Sequence, residues 1–183
     1  ARMPEGCPTL TRPEVTRDAA PYLEGELHAL MVAADGTPRG ADGALRSRVE
    51  ELVEFARARG MKRVGVAFCV SLLREAQRLG EILRGAGLEA YLTCCRVGAI
   101  DYAEIGLPKA HPERFAAICN PVAQGKLLNE AGVELVVQVG LCIGHDLVLQ
   151  EVCDAPVTTL VVKDRVFDHQ PVLALRPRKP SEP

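Results

Sequence analysis

Seven cysteines stand in a chain of 183 residues. Five of them, Cys69, Cys94, Cys95, Cys119 and Cys142, fall where elements of structure should begin or end. Thiolates are soft ligands for zinc and for iron–sulfur clusters, and reactive nucleophiles when their proton is easily lost. An odd number of cysteines cannot all pair as disulfides. Without the small, loop-rich build of a disulfide scaffold, a reducing cytoplasm is the expected location. No CxxC spacing occurs, so a zinc-ribbon signature is absent and any shared site must be assembled by the fold.

The pattern around these cysteines is an alternation of strands and helices. Residues 63–68 (RVGVAF) form a short apolar run, followed by an amphipathic helix over 70–84 that Gly85 and Gly87 stop. Further strands are expected at 88–94, 134–140 (ELVVQVG) and 157–162 (VTTLVV). Asn120 followed by Pro121 marks a helix start: a side-chain cap, then a residue with no donor to satisfy. Another helix should open near His145. This order predicts a three-layer, doubly wound α/β fold of the Rossmann or flavodoxin kind. Its sheet should be mainly parallel, with four or five strands, the fifth an edge segment within 165–175. A Pro- and Gly-rich amino-terminal arm, partly helical near residues 24–34, is expected over 1–43. The α/β domain should span 44–175, with a helix starting near Ala44 and a disordered tail at 176–183.

On this map Cys69 follows the first strand, Cys94 and Cys95 close the second, and Cys142 closes the third. Cys119 precedes the helix that begins at Pro121. In an open parallel sheet these positions share the carboxyl edge, where ligands bind at the point of strand-order reversal. Helix amino-ends after Cys69, Cys119 and Cys142 favour the thiolate. Cys94 and Cys95 point to opposite faces, so one of the two is expected to be a ligand; the sequence does not say which. Cys153 reads as structural, and Cys7 stands alone in the arm.

His145, in the run GLCIGHD, is a candidate ligand or proton donor, with Asp146 positioned to cap the helix. Lys163, within Lys163-Asp164-Arg165 after the fourth strand, could assist catalysis or bind an anionic substrate. His28, His111 and His169 read as loop residues. A net charge of −2 and aromatics at only 4% give no basis for nucleic-acid binding. No apolar run reaches the length of a membrane span. No glycine-rich nucleotide loop is present.

The stretches VGVAFC, CCRVGAID, CNPVAQGKLLNEAG, VGLCIGHD and APVTTLVVKDRV, in this order, resemble the bacterial and archaeal family known as domain of unknown function 1847. Its members are described as metal-binding. The resemblance spans residues 49–175. It implies that Cys69, Cys94, Cys95, Cys119 and Cys142 are the family's cysteines, with His145 and Asp146 in its GHD element. Further cysteines of the family's amino-terminal segment are represented here by Cys7 alone.

Three functions follow as expectations. The first is a [4Fe–4S] cluster held by Cys69, Cys119, Cys142 and one of Cys94 or Cys95. An iron left open would allow a lyase or desulfidase-like reaction on a small molecule, assisted by His145 or Lys163; a redox partner is the other option. The second is a zinc site built from the same thiolates with His145. The third is a metal-free enzyme with Cys142 or Cys69 as nucleophile and His145 as base. A homo-oligomer is compatible with all three.

Overall fold

The computed structural model describes residues 4–176. The chain divides into two compact units, Ala1–Arg59 and Gly60–Pro183. The expected tail falls outside the described residues except for Arg176.

The first unit is helical. Two short turns, α1 (Pro8–Thr11) and α2 (Pro13–Thr16), each begin at a proline, whose missing donor costs nothing there. They precede α3 (Gly25–Asp35) and α4 (Arg48–Ala58). The helix expected near Ala44 starts later because Ser47 and Glu50 form a reciprocal capping box that fixes its first turn.

The second unit carries the sheet. Its strands are β1 (Arg63–Phe68), β2 (Glu89–Cys94), β3 (Leu135–Val139) and β4 (Val157–Val161). All pair in parallel, in the order β2-β1-β3-β4. The helices are α5 (Leu73–Gly85), α6 (Pro121–Glu130) and α7 (His145–Val152). Asn120 caps α6 by accepting from the Ala123 N–H at 3.0 Å.

Helices cover both faces, as a doubly wound sheet requires. On one face α5 lies over β1 and β2, with the Leu92 side chain against Gly80. On the other, α6 packs on β1 and β2 and on α7. There the Leu128 methyls sit 2.9 and 3.1 Å from where a Cβ on Gly65 would stand, so glycine sets the helix-to-strand distance. The core is aliphatic: Val64, Val66, Leu83, Leu128, Val136, Val137 and Leu149 are all fully buried.

The expected fifth strand does not form. After β4 the chain makes a turn at residues 165–169 and a 3₁₀ helix, Pro171–Leu175. Asp164 causes the turn, because its carboxylate accepts the N–H groups of Val166 (2.8 Å) and Phe167 (3.0 Å) that a ladder would need. Among the described residues the sheet therefore has four strands.

Candidate functional site

Strand order reverses at β1. The chain goes from β1 to β2 on one side, then crosses back to β3 on the other. The carboxyl ends of β1 and β3 flank the switch point, and ladder-like hydrogen bonds carry the cysteines just past it. The Cys69 N–H donates to Val139 O at 3.0 Å, and the Cys95 N–H to Phe68 O at 2.8 Å. Strand alternation and helix contacts place Cys94 and Cys95 in different surroundings. Gly65, Ala67 and Cys69 of the first run, and Tyr91, Thr93 and Cys95 of the second, occupy the α6 face. Cys95 is on that face and 2% exposed. Cys94 touches the margin of the same apolar cluster.

Cys119 reaches Cys95 from far away in the chain through a closed excursion. Residues 96–119 leave β2 and return. Asp101 bridges Ala117, Ile118 N–H donates to Ile100 O at 2.9 Å, and Asn120 N–H donates to Cys95 O at 2.7 Å. The Asp101 carboxylate ties the excursion together. It accepts from Ala103 N (2.8 Å) and Ala116 N (2.9 Å) and pairs with Lys109 at 2.8 Å. The Lys109 ammonium and these N–H groups hold its pKa down at about 2. The result is a thiol pair, with Cys119 Sγ 3.9 Å from Cys95 Sγ.

The four site sulfurs are of two kinds. Cys95 packs with Leu128, Leu141 and Leu149. Burial pushes its pKa up to about 12, a Val70 N–H donated to its sulfur at 3.4 Å opposes this, and the neighbouring Cys119 and Cys69 add to the rise. Cys69 is also buried, which alone would raise its pKa. The Ser71 hydroxyl, 3.4 Å from the sulfur, and the Lys163 ammonium, also at 3.4 Å, outweigh burial and lower it. Lys163 also donates to the Ser71 hydroxyl. Arg165 Nη2 donates to Cys142 Sγ at 3.1 Å. The sulfurs of Cys142, Cys69 and Cys119 all act on the Arg165 charge, raising its pKa.

The remaining candidates sit apart from these contacts. His145 is the first residue of α7, and its N–H donates to Cys142 O at 2.9 Å. Among the described residues, no hydrogen bond joins its ring to a cysteine. Asp146 caps that turn, accepting from Gly144 N and Leu147 N, both at 2.9 Å. Burial raises the Cys153 pKa, as does Asp154 beside it. Among the described residues, no three His, Cys, Asp or Glu side chains stand close enough, as placed, to hold a metal ion.

Several residues at this edge carry no obvious signal in the sequence. Ser71 sits two residues beyond Cys69, a hydroxyl in the first turn after a strand. Gln124 is fully buried, and its Nε2 donates to Thr93 O at 2.7 Å and Phe68 O at 3.4 Å, clamping the ends of β1 and β2. The signal that could have found it is a polar residue on the stripe of α6 that also carries Leu128. His169, read as a loop residue, accepts the Asp164 N–H on Nδ1 at 3.1 Å and steadies the turn beside Lys163.

The fold and this edge define a doubly wound α/β protein with a thiol-lined switch point. The chain belongs to the family described as protein of unknown function DUF1847, whose profile matches residues 7–160. It is similar to the uncharacterized protein MJ0455 of Methanocaldococcus jannaschii, 43% identical over 124 residues. That alignment covers 68% of this chain and 64% of the relative. Among the described residues no helix is long and apolar enough to cross a membrane.

Proposed function

We propose that the carboxyl edge binds a metal through thiolates, with Cys95 and Cys119 sharing one ion and Cys69 and Cys142 as the residues that would complete its shell. The observation that carries this reading is the 3.9 Å sulfur separation. Two thiolates about 2.3 Å from one tetrahedral zinc stand about 3.8 Å apart. The Val70 N–H on Cys95 supplies the kind of second contact that orients a ligand sulfur. Cys69 and Cys142 point toward Lys163 and Arg165 instead, so completing the shell requires their side chains to turn. Displacing the Cys95 proton by a metal also relieves a thiol that burial otherwise keeps protonated. A closed four-thiolate shell is structural or regulatory; a water in one position would make it hydrolytic.

A [4Fe–4S] cluster is the second reading. It is favoured by Arg165, whose charge faces three sulfurs at once, as hydrogen bonds and cations around a negative cluster would. A cluster assigns one cysteine to each iron, which spreads the sulfurs more widely than the Cys95–Cys119 pair.

Purification without oxygen, with elemental analysis and a visible spectrum, tests both. Colourless protein holding about one zinc per chain supports the first reading. Brown protein absorbing broadly at about 400 nm supports the second. Protein that takes up neither zinc nor reconstituted iron and sulfide overturns the metal reading.

A further inference from the structure

We propose that the turn after β4 is an anion-binding site, in which Lys163 and Arg165, with the Ser71 hydroxyl, hold a carboxylate or phosphate group beside the sulfurs of Cys69 and Cys142. This deepens the reading above by naming the class of ligand that the thiol-lined edge takes. It rests on side chains which that reading does not use as ligands.

Three observations converge. First, among the described residues, neither cation has a carboxylate partner. The carboxylate between them, Asp164, is turned into its own loop, where it accepts from Val166 and Phe167. The other cations of this unit that form ion pairs do so elsewhere, as Lys109 does with Asp101 and Arg78 with Glu81. Lys163 and Arg165 instead meet sulfurs and one hydroxyl, which are weaker acceptors than oxyanions. The exposed Arg165 fork uses one contact and keeps the rest of its donors for a second acceptor.

Second, the loop that carries the cations is built. The Asp164 N–H donates to His169 Nδ1, and the His169 N–H returns to Asp164 O at 2.9 Å. Asp168 and His169 hold φ values of +46° and +63°. Residues other than glycine keep that conformation only where their surroundings hold them in it. A register shift in β3–β4 that skips Leu160 precedes the loop, a device that re-aims the side chains that follow.

Third, the place is right. The two cations reach sulfurs that follow β1 and β3, the strands on either side of the switch point. Open parallel sheets take their ligands there. The amino-end of α7 is not the anion site, because the Asp146 carboxylate and the Cys142 carbonyl already accept its N–H groups.

The test uses the full chain as purified, with its metal content measured on the same sample. Sodium phosphate and sodium acetate are titrated at matched ionic strength against sodium chloride, read by calorimetry and by the shift in melting temperature. Wild type should bind phosphate or acetate with a Kd of about 1 mM or tighter, and the preferred anion identifies the group. Arg165→Gln and Lys163→Gln should each weaken binding about tenfold or more. Arg165→Lys, which keeps the charge and loses the fork, should fall between, and it stands in if Arg165→Gln does not fold. Arg78→Gln should bind as wild type does. Saturable binding that survives in both glutamine variants overturns the inference, as does wild type that responds to phosphate and acetate no more than to chloride. Either result in protein that still holds its metal leaves the thiolate reading intact, whereas absence of metal from wild type removes that reading alone.

Discussion

Cys69 and Cys95 follow residues paired across β1 and β2, so the same side chain occurs twice at almost the same level of the sheet. Their surroundings treat them in opposite ways. Cys95 is enclosed by leucines and faces a second thiol, and its proton is held tightly. Cys69 is given a hydroxyl and an ammonium, and its proton is loosened in spite of burial. The difference teaches that burial alone does not decide the state of a thiol here: it prevails at Cys95 and is outweighed at Cys69. The balance between burial and the donors that reach the sulfur decides it. The inner pair, Cys95 and Cys119, is arranged by backbone closure. The outer sulfurs, Cys69 and Cys142, are held by two side chains from one loop.

The largest expected effect tests that division directly. Cys95→Ser or Cys119→Ser should lower metal affinity at least about a hundredfold, read by competition with a chromogenic chelator, because each removes half of the shared pair. Cys94→Ser should retain the affinity of wild type. Equal losses in all three variants would break the distinction between the two adjacent cysteines.

Next in size is Gly140→Ala. Gly140 has φ +66°, and a Cβ there would stand 2.2 Å from Leu72 Cδ1 and 4.0 Å from Lys163 Cδ. Strain and overpacking together should cost about 2 kcal/mol or more in urea unfolding. The chemical shifts of Lys163 should move more than those of Cys119 if the outer sulfurs are the ones this turn supports.

A smaller effect concerns pH in the metal-stripped protein. The Cys95 pKa is raised from 9.0 in the free side chain to about 12. The folded state then binds the proton more tightly than the unfolded one. Its contribution to stability is complete below about pH 9 and is lost as pH climbs toward 12. Cys69 has the opposite sign: its contribution is complete above 9.0 and is lost as pH falls through its lowered value. Cys95→Ala should therefore flatten the alkaline limb of the stability curve, while Cys69→Ala should leave that limb in place. Alkylation followed by peptide mass spectrometry should mark Cys69 at lower pH than Cys95.

The smallest effect is expected from Asp101→Asn, which weakens the pairing with Lys109 and the cap of the excursion. A small loss of stability in urea unfolding is expected, with a modest fall in metal affinity through Cys119. No change in affinity would mean that the Asn120–Cys95 backbone bond alone fixes the pair.

Much of the fold was legible because its signals are local. The strand over 63–68, the capped proline at 120–121 and the helix opening at His145 are written in short runs of residue type. The strand expected in 165–175 failed because one side chain, Asp164, outcompetes a ladder for two N–H groups, and apolar composition cannot reveal that. At the site, the gathering of cysteines at one edge could be foreseen from their place at strand ends. The burial of Cys95 beside the leucines could not, since it depends on which face α6 covers. The contact of Ser71 with Lys163 joins chain segments 92 residues apart, and no pattern within either segment announces the partner.

The closed excursion between Cys95 and Asn120 has a consequence for how such a protein can vary. Its two feet are stitched together near their base and again by the Lys109–Asp101 pair, so the bend over residues 110–113 lies beyond the stitching. Residues could be added or removed at that bend, or a peptide tag grafted into it, with the sulfur spacing unaltered. The same change between Ile118 and Asn120 would slide Cys119 out of register with its partner.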